Sequence, residues 1–419
     1  MKKNGTIRIA TYPVQDRGPV PAGLMDDNGI ALNAAILINS GYVPTITDYA
    51  NVGSVEFIAN HGKQAHLDYV IEREHEMLQQ TGAKVMFWKL YANGFKDTIH
   101  IVNELRKKNP DVVYVGTGPQ VGWFGERILK NEQTKGTFDI LTVGDGDLVG
   151  VPFADHIYKN APLDQVPNIM YLKDGNTIRH KKQWRDFKKN PTPFANYHPE
   201  VYLDINGKVH VKVIELARGC YGPGNVDITQ ACLYCIHSRL SGPFRSRHSE
   251  DVIAELEHNE SVYGALISRI ADSSIHPILF NDMAKGAPKG AKFGVFLGAD
   301  ERFDIGILSE RLIAGFVGVE SADEHILEIV LGKTKDAKEY LERTMKFIQE
   351  CEAAEVPIIT SIMMPSAFDT DETMQKTIDF VKKANPTWAT ALPLAPIPDT
   401  TTYLRAKKHG EESGLLLDH

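Results

Sequence analysis

Short apolar runs alternate along this chain with longer segments whose apolar residues recur every three to four positions. TIRIATYP (6–13), VPTITD (43–48), KVMFWK (84–89), DVVYVG (111–116) and DILTVG (139–144) predict strands. NGIALNAAILINS (28–40), stopped by Gly41, predicts a helix, as do the stretches near 63–80 and 97–108. Strand–helix alternation with glycine-rich turns after the strands predicts an open, mostly parallel sheet. Residues 160–210 break the pattern. They are rich in Pro, Asn, Lys and Asp and predict a connector, with NIMYLKDGNTIRH (168–180) as a hairpin turned at Asp174-Gly175. Alternation resumes with VKVIEL (211–216), a helix from Ser249, ILFN (278–281), FGVFLG (293–298) and a helix near 305–314. FVGVE (316–320), a helix near 335–355, PIITSIMM (357–364), a helix near 371–384 and WATALPL (388–394) complete it.

The predicted fold class is therefore α/β: an N-terminal doubly wound, Rossmann-like parallel sheet in residues 1–190, then a partial (β/α)6, TIM-like barrel in residues 191–419. Composition adds limits. The 419 residues are 42% hydrophobic and 24% charged, with a formal net charge of −8, which argues against nucleic acid as the main partner. No run of about 18 apolar residues predicts a membrane span. The start, MKKNGTIRIATYP, has no long apolar region behind its lysines and does not read as a secretory signal. Four cysteines are too few for a disulfide framework and fit a cytoplasmic, reducing setting.

Three of the four cysteines, Cys220, Cys232 and Cys235, lie in RGCYGPGNVDITQACLYC (218–235), directly after the first strand of the second half. That is where a barrel carries its chemistry. Three thiolates suit a structural zinc completed by His237 or His248, or an iron–sulfur cluster with one iron left open. Cys351 shares a helical stripe with Leu341, Met345 and Ile348 and reads as core.

The flanking residues distinguish these readings. RGC, the paired cysteines around Tyr234, and FRSRHSEDVIAELE (244–257) together resemble the radical S-adenosylmethionine (SAM) enzymes. GFVGVESADEHILEIVLGKTKD (315–336) resembles that family's G-hydrophobic-E-S segment, and PLAPIPDTTTYLRAKKHG (393–410) its P-x-P-G-T ending. The resemblance covers roughly 210–410. It implies a [4Fe–4S] cluster on Cys220, Cys232 and Cys235, with SAM contacted by Glu320 and Ser321, Tyr234 near the adenine and Asp282 at the same mouth. Two departures stand out. Eleven residues separate Cys220 from Cys232 where the family has three, and Met363 falls near a glycine expected after the fifth strand.

Residues 5–180 resemble the cobalamin-binding domains that precede some radical SAM barrels. KKNPDVVYVGTGPQVG (107–122) and FDILTVGDGD (138–147) carry the resemblance, which implies that Gly116, Gly118, Gly144 and Gly146 line a corrinoid crevice. The D-x-H-x-x-G motif that supplies a lower histidine ligand is missing from the sequence. The resemblance implies a cobalamin-dependent radical SAM enzyme, with carbon methylation of a small molecule as the leading activity and an electron donor such as flavodoxin or ferredoxin. Radical cyclisation, rearrangement or oxidation without methyl transfer is the second expectation. A zinc-stabilised binding or scaffold protein is the third.

Overall fold

A computed structural model describes residues 4–12, 27–202, 211–221, 232–395 and 397–412. The chain forms two compact units, Met1–Val213 and Ile214–His419. The ten residues 222–231 of the long inter-cysteine gap lie outside the described residues.

The first unit runs β1 (Thr6–Thr11), α1 (Asn28–Asn39), β2 (Val43–Asp48), α2 (Val52–His61), α3 (Lys63–Thr81) and β3 (Val85–Lys89). It continues through α4 (Phe95–Lys108), β4 (Val113–Thr117), α5 (Pro119–Lys130), β5 (Ile140–Thr142), α6 (Gly150–Lys159), β6 (Ile169–Lys173) and β7 (Asn176–Arg179). The sheet order is β2-β1-β3-β4-β5-β6-β7. The strands from β2 to β5 pair in parallel, and β6 and β7 add antiparallel. Chain direction across the sheet reverses between β1 and β3, the switch point at which open α/β sheets bind ligands. Both faces are covered, so β3 reads as a continuous apolar run, with Val85, Met86 and Trp88 fully buried. Asp174 and Gly175 both take positive φ, which fits the primed hairpin turn predicted there.

Helices α2, α5 and α6 are not apparent from the sequence. In α5 two glycines dilute the apolar stripe, and a Cβ at Gly125 would lie 3.0 Å from the Met170 sulfur. Residues beyond 190 still hydrogen-bond within the first unit: Asn196 N–H donates to Ala31 O, and the Tyr202 hydroxyl donates to Asp48.

The second sheet opens with β8 (Val211–Ile214), which spans the boundary at 213/214, and the chain continues through β9 (Ala217–Arg218), α7 (His237–Ser241), β10 (Arg245–Ser246), α8 (Ser249–Tyr263), β11 (Ile267–Ile270) and α9 (Pro277–Gly286). Then come β12 (Lys292–Leu297), α10 (Ile305–Arg311), β13 (Leu312–Glu320), α11 (Ala337–Ala353), β14 (Ile358–Met363), α12 (Asp371–Ala384), β15 (Trp388–Leu392) and α13 (Thr401–Glu412). The sheet order is β15-β14-β13-β12-β11-β8, the sequential order of a partial barrel, and among the described residues it does not close. Phe293, Val295, Leu297, Val317, Val319 and Ile358 point from one sheet face into a core shared with Phe280, Met283, Leu308, Phe347 and Cys351 of the helices. Cys351 is fully buried, as its stripe predicts, and burial pushes its thiol up to about 12.

One strand prediction is overturned. ILFN (278–281) is not a strand but the first turns of α9, where Pro277, Phe280, Asn281, Met283 and Ala284 are buried at helical spacing. Pro277 at the first helical position and the His276 ring accepting from Leu279 N–H start this helix. The strand is instead β11, whose Ser and Arg give it a weak apolar signal. Asp282 consequently sits exposed on α9 and not at a strand end.

Candidate functional site

The loop carrying Cys220 is fixed by a clasp of charged and backbone groups. β9 pairs antiparallel with β10, joining Ala217-Arg218 to Arg245-Ser246. Gly219 between them has φ +85°, and a Cβ there would lie 2.6 Å from Pro243 O, so the glycine of RGC is demanded twice over. Arg247 donates to Glu215 O and to the buried Glu255 carboxylate, while Arg218 pairs with Glu215. The basic FRSR run thus contributes a structural arginine. Asp272, two residues past β11, accepts from Leu216 N–H at 2.9 Å and ties β11 to the chain entering the cysteine loop. Its other carboxylate oxygen is buried without a hydrogen-bond partner. Burial raises its pKa to about 7, against the lowering effect of the Leu216 and Ala217 amides.

Cys232 and Cys235 share one turn, closed by Cys235 N–H to Cys232 O at 3.1 Å. Leu233 N–H donates to Leu331 O, Thr402 N–H donates to Leu233 O, and His237 N–H donates to Cys235 Sγ at 3.4 Å. His237 Nε2 lies 3.1 Å from the Ser241 hydroxyl, and His248 is exposed at the start of α8. None of the four cysteines is in a disulfide. Among the described residues, no three His, Cys, Asp or Glu side chains are placed to hold a single metal ion.

Above this turn stands a compact polar network. Glu320, the last residue of β13, has φ +65°, and the pairing of β13 with β14 shifts register between Gly318 and Glu320. Such strain at a non-glycine residue persists only where its surroundings enforce it. Here Glu320 Oε1 accepts from Lys333 Nζ at 2.9 Å and from the Tyr234 hydroxyl at 3.2 Å, while Oε2 is buried without a partner. A Cβ at Gly318 would fall 2.4 Å from Glu320 Oε1 and 3.1 Å from Lys333 Nζ, so GVE needs its glycine to make room for the pair. Lys333 is brought back by one turn of π-helix, Ile326–Val330, followed by Gly332 at φ +56°. A Cβ at Gly332 would meet Leu233 at 2.6 Å, so LGKT also accommodates the cysteine turn.

Electrostatics follow from this packing. Burial raises the Cys232 pKa, and the Lys333 charge opposes that rise. Burial disfavours the Lys333 ammonium, but Glu320, Tyr234, Tyr340 and Cys232 together outweigh it and hold the lysine charged. Burial likewise raises Tyr234 well above an ordinary phenol. Tyr234 and Glu320 are thus brought together. Ser321 is buried next to them, but its hydroxyl accepts from Asp323 N–H and lies against Thr377. LGKT is the sequence signal for Lys333, and no periodicity marks Asp272.

In the first unit, the C-terminal strand ends gather a second network. Lys89, closing β3, donates to Asp27 Oδ1 at 2.6 Å, and the Tyr91 hydroxyl donates to Asp27 Oδ2. Asp27 also caps α1 at Ile30 N–H, and its own amide donates to Tyr202. Of the predicted crevice glycines, Gly116 packs inward, since a Cβ there would lie 2.6 Å from Leu141. Gly118 (φ +98°) passes against Leu90 O, Gly144 (φ +100°) lies under Lys182 and Trp184, and Gly146 adjoins the Thr117 hydroxyl. The acidic residues of GDGD serve structure: Asp147 pairs with Arg185 in a buried bridge, and Asp145 accepts from Arg185 N–H.

No protein-family model matches this sequence, and no curated protein matches it. Solved structures do. The cobalamin-dependent SAM radical enzyme OxsB, with aqua-cobalamin and SAM bound, superposes with a TM-score of 0.69 at 13% identity over 98% of this chain. The chain spans 56% of that structure's length. The radical SAM methyltransferase TsrM from Kitasatospora setae, with cobalamin and a [4Fe–4S] cluster bound, superposes at 0.71 with 14% identity, over 96% of this chain and 74% of that one. TsrM with tryptophan and a SAM analogue gives 0.68 at 14% identity, over 92% of this chain and 72% of that one. The chain therefore has the fold of these enzymes.

Proposed function

We propose that this protein is a cobalamin-dependent radical SAM enzyme that methylates carbon on a small molecule. The observation that carries the reading is the contact of the Cys232–Cys235 turn with Tyr234, Glu320 and Lys333 at the C-terminal end of a sequential parallel sheet. The shared fold with OxsB and TsrM supports it.

The residues fit the implied groups. Soft thiols are the ligands of iron–sulfur clusters, and Cys220, Cys232 and Cys235 would hold one. The unpartnered Glu320 Oε2 offers an acceptor to a donor group on a bound ligand. When bound, the cluster supplies the electron that cleaves SAM, and the corrinoid carries the methyl group. The chain's own contribution is to orient and to exclude water. Lys333 fixes the Glu320 carboxylate, Tyr234 fixes its other contact, and the clasp of Gly219, Arg247 and Asp272 anchors the loop bearing Cys220. Ser321 would act by shaping the strand end, since its hydroxyl is already engaged. In the first unit Gly118, Gly144 and Gly146, at the strand ends, would bring backbone close to the corrinoid. We assign residues 1–190 to that cofactor and 191–419 to the cluster and SAM.

Anaerobic purification from cobalamin-fed cells, with iron, sulfide and corrinoid counted per chain, tests this. About four irons with one corrinoid are expected, along with transfer of label from methyl-labelled SAM. About four irons without corrinoid would leave radical chemistry and remove methyl transfer through cobalt. A colourless, iron-free protein that binds zinc would overturn the reading.

A further inference from the structure

The sheet face of the second unit that points away from the helix-packed core carries a row of large apolar side chains in register. Phe296 pairs with Phe316, Phe316 with Ile359, and Ile359 with Trp388, across β12 to β15. Three interstrand steps of about 4.8 Å make this shelf about 14 Å long. It is open: Trp388 is 66% exposed and Phe296 38%. The Phe296 and Phe316 rings lie 5.2 Å apart. The next row toward the strand ends is small, with Gly318, Ser361 and Thr390 side by side, and the Glu320–Lys333 pair fills the room over Gly318.

One end of the shelf carries a cation. The Arg269 guanidinium lies over the Phe296 ring at 5.4 Å. Among the described residues no carboxylate pairs with it. Its register partner on β12 is Gly294, where an added Cβ would meet nothing within 4 Å, so open space adjoins the arginine. A cation over an exposed ring, beside a bare glycine, leaves its hydrogen-bond fork available to an incoming anion.

We infer that this face binds the substrate, and that the substrate is a carboxylate attached to an extended aromatic or flat apolar body, its carboxylate on Arg269 and its body along Phe296, Phe316, Ile359 and Trp388. The inference rests on the enzymatic reading above for the word substrate, but the ligand chemistry stands on the shelf alone. Glu320 closes the strand that carries Phe316, four residues and at most about 13 Å further along it.

The test is equilibrium binding of 1-naphthaleneacetate, 1-naphthaleneacetamide and 1-naphthalenemethylamine to the anaerobically purified protein, read by quenching of tryptophan fluorescence and by dialysis. The acid is expected to bind at least tenfold tighter than the amide, with the amine weakest. Arg269→Gln should bring acid and amide within about twofold of each other, and Arg269→Lys should restore part of the preference. Trp388→Leu should weaken acid and amide alike. Equal binding of acid and amide by the unaltered protein, or a preference for the amine, would overturn the inference whatever the variants do. Iron and corrinoid counts on the same preparation separate the two readings. Acid preference without cofactors would sink the enzyme assignment alone, and cofactors without acid preference would sink this inference alone.

Discussion

Glu320 is held by Lys333 and Tyr234, and the lysine makes the first prediction. Its side chain is 7% exposed and that of Lys333 21%, so the pair is only partly screened by water. Lys333→Met would leave the carboxylate buried beside Tyr234 with its cation gone. We expect a loss of about 2–4 kcal/mol in urea unfolding, below the full cost of a deeply buried pair because of that residual exposure. Adding Glu320→Leu should recover part of the loss, as removal of both charges usually does. Asp272 makes a pH prediction. Its folded pKa, about 7, exceeds the unfolded value, so the folded state holds the extra proton between about pH 4 and 7. Stability should therefore fall as pH rises through that window. Asp272→Asn, which keeps an acceptor for Leu216 N–H, should remove the fall and be the more stable protein at pH 8. Denaturation midpoints at pH 5 and 8 check the sign.

At the scale of elements, Gly219 and the β9–β10 clasp matter most for the cysteine loop. Gly219→Ala should push the chain off Pro243 and lower bound iron per chain, with little change expected from alanine at the exposed, helical Gly53. Far from the site, α12 opens with a reciprocal capping box in which Thr370 accepts from Thr373 N–H and Thr373 from Thr370 N–H. Thr370→Ala should cost about 1 kcal/mol without altering iron content. Segments such as β13 and α11 are legible in the sequence because apolar residues dominate the face each turns to the core. β11 is not, because Arg269 faces the open side of the sheet and Ser268 is a polar residue on the buried side. The start of α9 mimics a strand because its first turn places four bulky residues in succession, and strand and buried helix look alike over so short a run.

At the scale of the molecule, two compact units each hold a separate apolar core, one around Trp88, Leu105 and Tyr114, the other around Phe280, Phe293 and Phe347. Calorimetry should accordingly give a calorimetric enthalpy larger than the van't Hoff value, because unfolding need not be a single cooperative event. Among the described residues no helix is long and apolar enough to cross a membrane.

The sequence by itself determined the α/β alternation in both halves, the hairpin at Asp174-Gly175, the core position of Cys351 and the cluster of three cysteines after the first strand of the second half. These are local properties, set by periodicity, turn chemistry and spacing. Tertiary structure alone decided that Asp272, and not Asp282, stands by the end of β11. It placed Asp282 on an outer helix, put Asp272 just past the end of β11, brought Lys333 back to Glu320 across thirteen residues, and aligned Arg269 with an apolar row drawn from four strands. Each of those depends on register between distant segments, and a register one residue away would turn every such side chain to the opposite face.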